Sequence, residues 1–277
     1  MRLRRQHLAA VIASLASLYA PTVRASDRLA TIVPPGIVSV RPSGPTVPEN
    51  LLRISLRFAI APTAPVLRRL ALIGPDDRPV ADPFLDQELW SPDGKVLTVL
   101  LHPGRLKTGL IAHDALGAAL VDGEVIRLTL DGRELHRWRV QPRDETGPQT
   151  RDWQLPPLPV GRRESVDVRL DAPIDALEVD YLAVIDAQGR RVPGRAELLD
   201  GETVWRFSPA RAWSAGPFRL IVRATLEDPA GNRLNDRFEA PAGALAKRAL
   251  DAMLPLRTCA IRTNPCSASS GARLMPP

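Results

Sequence analysis

The chain has 277 residues, of which 28 are Pro and 18 Gly, with 44% apolar and only 4% aromatic residues. Proline at about double its average use breaks helices and suits loops and sheet edges, while Pro plus Gly stays below the range of low-complexity chains; a mainly helical and a disordered protein are both disfavoured. The formal charge is +6, from 37 basic and 31 acidic residues, and no basic stripe interleaved with aromatics stands out, so nucleic-acid binding has no support.

Residues 1–25 read as an export signal. Arg2, Arg4 and Arg5 make a positive start, and Leu8 to Leu18 is an apolar run too short to span a bilayer. Val23-Arg24-Ala25 puts small residues at the positions a signal peptidase reads, so cleavage is expected after Ala25. This predicts a periplasmic or extracellular protein, exported by a Sec-type route, with Arg4-Arg5 leaving the twin-arginine route open. Loss of the four signal arginines leaves 37 − 4 = 33 basic against 31 acidic residues, or +2. No later segment is an uninterrupted apolar run long enough to span, so no transmembrane segment is expected in the mature chain. The remaining length allows two domains.

Residues 26–36 form a linker ending in Pro34-Pro35-Gly36, and the first domain is expected over 37–143. Leu52, Ile54, Leu56 and Phe58 alternate with Arg53, Ser55 and Arg57, the pattern of a half-buried strand. Leu67 to Ile73 is the next expected strand, turned by Gly74 to Arg78. Trp90 to Gly94 is a turn, and Val96 to Leu101 a strand ended by Pro103. The long loop 104–122 follows, and a connection of that length is often functional. Arg105 and Lys107, with Leu106, Leu110 and Ile111, could form a partner-binding lip. Equally, the loop could cover the end of a sandwich, with Leu110 and Ile111 in its core. His113 and Asp114 are an acid–base pair in the same loop, with no nucleophile or orienting partner to assign.

A proline-rich linker is expected over 144–159 and a second domain over 160–240. Trp205 and Phe207 alternate with Val204 and Arg206, and Pro209 is expected to end that strand. After Gly216-Pro217, Phe218, Leu220 and Val222 alternate with Arg219, Ile221 and Arg223. Asp228-Pro229-Ala230-Gly231-Asn232 has turn chemistry: Asp228 to bond its own backbone, Pro229 to preset φ, Gly231 to take positive φ. The order strand, Pro, Gly-x-aromatic-x-Leu-x-Val, Asp-x-Ala-Gly-Asn resembles bacterial Ig-like domains of the surface-layer-protein type, over roughly Ile37 to Glu239. The resemblance implies small β-sandwiches in an exported protein and names no activity.

The two halves also resemble each other. Leu70-Ala71-Leu72-Ile73, then Arg78 and Val80, match Leu182-Ala183-Val184-Ile185, then Arg190 and Val192. Val99 to Pro103 matches Trp205 to Pro209, and Gly123 to Leu130 matches Gly216 to Val222. The shared order predicts a duplication. Beyond it lies a C-terminal extension, 241–277, in which Ala242 to Leu254 has helical composition. Cys259 and Cys266 are the chain's only cysteines and could pair in an oxidising compartment.

The expected fold is therefore all-β: two tandem Ig-like antiparallel β-sandwiches with a short helical or irregular tail. No nucleophile elbow, phosphate loop, dinucleotide fingerprint or zinc spacing is present. Asp76, Asp77, Asp82 and Asp86 match no calcium loop, and neither a metal nor a cofactor is expected. Trp90 and Trp213 could stack on sugars or be buried beside turns. The expected function is a non-catalytic binding or structural module of the bacterial cell envelope, with a protein or envelope component as partner. The alternative is an accessory domain, or a hydrolase of unrecognised type, using loop 104–122.

Overall fold

The computed structural model describes residues 36–106, 117–234 and 250–259. In the first half, one sheet runs β1 (Ile37–Arg41), β3 (Arg53–Phe58), β6 (Val96–Leu100), β5 (Leu89–Trp90). The facing sheet runs β2 (Thr46–Pro48), β8 (Arg133–Gln141), β7 (Val125–Leu130), β4 (Leu70–Ile73). Take β1 and β2 as one split first strand. The sheets then hold strands one-two-five-four and one-seven-six-three, the order of an immunoglobulin-like sandwich.

The second half repeats it. β10 (Val166–Arg169), β13 (Val204–Pro209) and β12 (Gly194–Leu199) form one sheet; β11 (Leu182–Ile185), β14 (Phe218–Val222) and β15 (Ala252–Leu256) form the other. β9 (Leu158–Pro159) is the second half of a split first strand, and it pairs with β16 (Thr258–Cys259). The repeat extends to register. Leu70 faces Leu130 in the first sandwich as Leu182 faces Val222 in the second, and Ile54 faces Val99 as Val168 faces Trp205.

Each sandwich has its own core. Ile54, Leu56, Leu72, Leu97, Val99, Leu128 and Trp138 fill the first with no exposure. Leu158, Leu182, Val184, Trp205, Leu220 and Val222 do so in the second. The scarce aromatics concentrate in the second, where Trp205 stacks on Phe207 at 5.6 Å and Trp213 meets Phe218 edge-on at 5.6 Å. Such pairs add about 0.5–1.5 kcal/mol beyond the area they bury.

Several local expectations change. β2–β8 is a parallel pair in an otherwise antiparallel sheet and β9–β16 is a two-stranded parallel pair of its own, because a split first strand crosses to the facing sheet and meets the last strand running the same way. Leu67–Arg69 is one turn of 3-10 helix, so the strand begins only at Leu70. β13 runs through Pro209, which pairs with Gly194; its neighbour β10 starts opposite Phe207, so no ladder bond is asked of the missing N–H. The segment read as a linker carries Trp153 and Leu158 into the second core. The helix expected to reach Leu254 is replaced over Ala252–Leu254 by β15, which pairs with β14 and carries Pro255 on an outer strand. Residues 242–249, like the expected signal 1–25, lie outside the described residues.

Candidate functional site: the junction between the sandwiches

Part of the outer face of the β1-β3-β6 sheet is covered by the second sandwich. Arg53 projects from it towards the second sandwich, where its guanidinium meets Asp175 and Glu227. The Nε to Asp175 Oδ2 distance is 2.6 Å, an ion pair without hydrogen-bond alignment. Asp175 caps the 3-10 segment Ala176–Tyr181 by accepting from the Leu177 N–H at 2.8 Å. In the same segment Glu178 accepts from the Glu227 N–H at 2.6 Å. Three carboxylates thus surround one cation. Burial pushes Glu178 up to about 7, and repulsion from Asp175 and Glu227 adds to it. Burial also raises Asp175 against the pull of Arg53. For Arg53, burial acts downward, but the neighbouring carboxylates outweigh it and the net shift is up.

A second contact lies beside the first. Glu202, 1% exposed, sits on the turn between β12 and β13 with φ +65. That left-handed conformation is costly for a residue with a side chain, and here it delivers the carboxylate across the junction. Glu202 accepts from the Ser43 N–H at 2.8 Å and the Ser43 hydroxyl at 2.6 Å, and pairs with Arg41. Gly201 precedes it at φ +66, and a Cβ there would lie 2.9 Å from Gly44 Cα. Behind this contact, Trp138 donates to the Pro42 carbonyl at 3.1 Å and His136 Nε2 lies 3.2 Å from the Gly44 carbonyl.

The Asp228–Asn232 turn completes the junction. Asp228 Oδ1 accepts from the N–H groups of Ala230 and Asn232 at 2.8 and 2.9 Å, Oδ2 accepts from Asn232 Nδ2 at 2.9 Å, and Gly231 has φ +82. These bonds follow from the residue types. Their location does not: the turn is buried against the first sandwich. The Leu52 N–H donates to the Pro229 carbonyl at 2.9 Å. Asn232 and Asn50 both donate to the Asp144 carbonyl, at 2.9 and 2.8 Å. Burial pushes Asp228 up to about 7 despite the N–H groups that favour its charge.

Next to the ion network opens a cleft of about 530 Å³. One wall is the outer face of the first sandwich, with Ser39, Arg41, Ser55, Arg57 and Val96. The other holds Leu177 and Val179 and the unbroken run 195–199 of β12. Clefts between domains are common binding sites.

The residues singled out in the long loop fare differently. Arg105, 4% exposed, is no lip: it donates to the Gly117 carbonyl at 2.6 Å, the Ala118 carbonyl at 3.1 Å and the Ala81 carbonyl. The guanidinium pins the loop's ends down, and burial lowers its pKa. Leu106 is buried in the first core, and its carbonyl accepts from Arg143 at 2.8 Å. Lys107, Leu110, His113 and Asp114 lie outside the described residues. Trp213 is buried and donates to the Glu164 carbonyl at 2.9 Å; Trp90 is half-buried and donates to Glu88 at 2.9 Å. Cys259 ends β16 as a disulfide-bonded cysteine, and Cys266 lies outside the described residues. Among the described residues no group of three or more His, Cys, Asp or Glu is placed to hold a metal, and no helix is long and apolar enough to cross a membrane.

Arg53 and Glu202 escaped sequence reasoning. Arg53 occupies an outward position on its strand, which reads as solvent-facing. The one local signal was Glu227 beside the Asp228 turn, an acid in a segment already marked as structural.

No protein-family model matches the sequence, and no curated protein matches it. Among solved structures, the chain is similar to the LD transpeptidase LdtMt1 in complex with imipenem, at 11% identity and a TM-score of 0.26, over 58% of this chain and 59% of that one. It thus spans about three-fifths of that structure's length. It is also similar to murine CEACAM1b, at 13% identity and a TM-score of 0.21, over 78% of this chain and 96% of that one. Domains 5-6 of the S-layer protein SbsC align at 10% identity and a TM-score of 0.23, over 79% and 96%. The assignment to an immunoglobulin-like topology rests on strand order and register within this chain.

Proposed function

We propose that the chain is an exported, non-catalytic binding or structural module of the bacterial cell envelope, with Ig-like domains of the surface-layer type, working through a sheet edge and the cleft beside it. One observation carries this reading. The buried and half-buried charged groups of the junction, Arg53, Asp175, Glu227 and Glu202, are engaged in holding two sandwiches together. Beside them opens a cleft with a strand edge along its wall. Export is supported by the basic start, the Leu8 to Leu18 run and the Val23-Arg24-Ala25 site. A disulfide-bonded Cys259 suits an oxidising compartment.

The test is expression of the full-length chain in a Gram-negative bacterium, followed by fractionation and N-terminal sequencing. The expected result is a mature chain starting at Ser26 in the periplasm, the envelope or the medium. An uncleaved chain in the cytoplasm would overturn the reading, as would turnover of a substrate by the purified protein.

A further inference from the structure

The wall formed by β12 presents a strand edge to the cleft. In an antiparallel pair, successive residues alternate between bonding the partner strand and pointing their N–H and C=O away from it. Ala210 donates to the Pro193 carbonyl, which sets the phase. With Arg195 opposite Ser208, Glu197 opposite Arg206 and Leu199 opposite Val204, those odd-numbered residues bond β13. Ala196 and Leu198 therefore direct their backbone groups to the other side. Among the described residues β12 pairs with β13 alone, so that other side is an open edge there, and the run 195–199 that lines the cleft is this edge. An unpaired strand edge is a template for another extended chain.

The charges around the edge are of one dominant sign. Arg57 lies on the facing wall between Ser39 and Val96, its cross-strand neighbours. Asp93 attracts it at longer range. Arg195 projects from β12 and is exposed. Arg41 contributes a further guanidinium beside Glu202. The acid on this wall, Glu197, lies in the field of Arg206. Between them are Leu177, Val179 and Val96, which suit the apolar side chains of an extended segment better than a highly charged polymer.

We propose that the cleft takes an extended acidic peptide segment of a partner protein, which adds as a strand to the free edge of β12 and sets its carboxylates against Arg57 and Arg195. Backbone bonds to Ala196 and Leu198 supply affinity that is tolerant of sequence, and the two arginines select acidic side chains on alternate residues. The inference rests on the reading of the chain as a binding module.

The test uses the full mature chain and a fluorescent peptide of about eight residues, long enough to run the length of β12, alternating Glu with Val. Its controls are the Lys–Val counterpart and a Glu–Val peptide N-methylated at alternate residues. Binding is read by anisotropy. The Glu–Val peptide is expected to bind, the Lys–Val peptide to bind at least about tenfold more weakly, and the double variant Arg57→Glu/Arg195→Glu to lose affinity by a similar factor. Ala196→Pro removes an outward N–H without touching the β13 ladder, a position where proline is tolerated, and is expected to weaken binding likewise. Should that variant fail to fold, the N-methylated peptide tests the same hydrogen bonds from the other side, and its binding is expected to fall.

Equal binding of both charge patterns overturns the proposal, as does affinity unchanged by N-methylation, or no binding at all. Concentration-dependent self-association in sedimentation that Ala196→Pro abolishes would place a second copy of the chain on the edge, and also overturns it. If the chain is exported to the envelope and no acidic peptide binds, this inference falls while the binding-module reading stands. If the chain is not exported, that reading falls whatever the peptide does.

Discussion

Arg53 Nε and Asp175 Oδ2 stand 2.6 Å apart across the junction of two separately cored sandwiches. The pair does more than join two surfaces, because Glu178 and Glu227 share the same cation. Replacing Arg53 by Ala leaves three carboxylates facing one another with no counter-charge. Breaking a buried pair from one side costs about 3–5 kcal/mol, and the partial exposure of Arg53 places this one near the lower end. The expected result in a denaturant titration is a lower midpoint and two separated transitions where the parent shows one.

The junction also predicts a pH dependence. Glu178 and Asp228 are both raised to about 7 when folded, from ordinary values of 4.5 and 3.8. A carboxyl whose folded pKa is raised binds its proton more tightly in the native state. Its contribution is complete below the unfolded value and is lost as pH rises through the folded one. Stability is therefore expected to fall between about pH 4.5 and pH 8. Glu178→Gln keeps an oxygen to accept the Glu227 N–H and removes the ionisation. Thermal unfolding of that variant across the same range is expected to show a flatter profile than the parent.

Gly201 and Gly189 separate backbone strain from close approach. Both have positive φ, +66 and +76, but a Cβ on Gly201 would lie 2.9 Å from Gly44 Cα while one on Gly189 would meet nothing within 4 Å. Gly189→Ala is expected to cost about 1 kcal/mol for the left-handed conformation alone. Gly201→Ala is expected to cost more and to force the sandwiches apart, seen as a lower melting temperature and a larger radius of gyration by small-angle scattering.

Asn50 and Asn232 both donate to the Asp144 carbonyl, so their effects should not add. Each change to Ala is expected to cost about 1 kcal/mol. A double-mutant cycle is expected to return a coupling of at least ~0.5 kcal/mol. Strict additivity would mean that the shared carbonyl does not link them.

Local structure in this chain is legible where one strand decides it. The alternation at Ile54, Leu56 and Phe58, the alternation at Phe218, Leu220 and Val222, and the Asp228 turn are each readable from a few neighbouring residues. β15 was not, because Ala, Met and Leu at those positions suit a helix as well, and only pairing with β14 makes them a strand. The junction was hidden for a different reason. Arg53 and Glu227 are 174 residues apart, and an arginine on the polar face of a strand looks solvated until the second sandwich arrives. Arg105 misled in the opposite sense: its charge suggested a surface, while three backbone carbonyls keep it buried.

Bonds between the two sandwiches hold them in one arrangement. Two amide protons report on it directly: Ser43 N–H, bonded to Glu202, and Leu52 N–H, bonded to the Pro229 carbonyl. Native-state hydrogen exchange is expected to show both protected to a degree close to that of amides within β3, and both released in Arg53→Ala. Exchange of either at the rate of an open loop in the parent protein would contradict the claim.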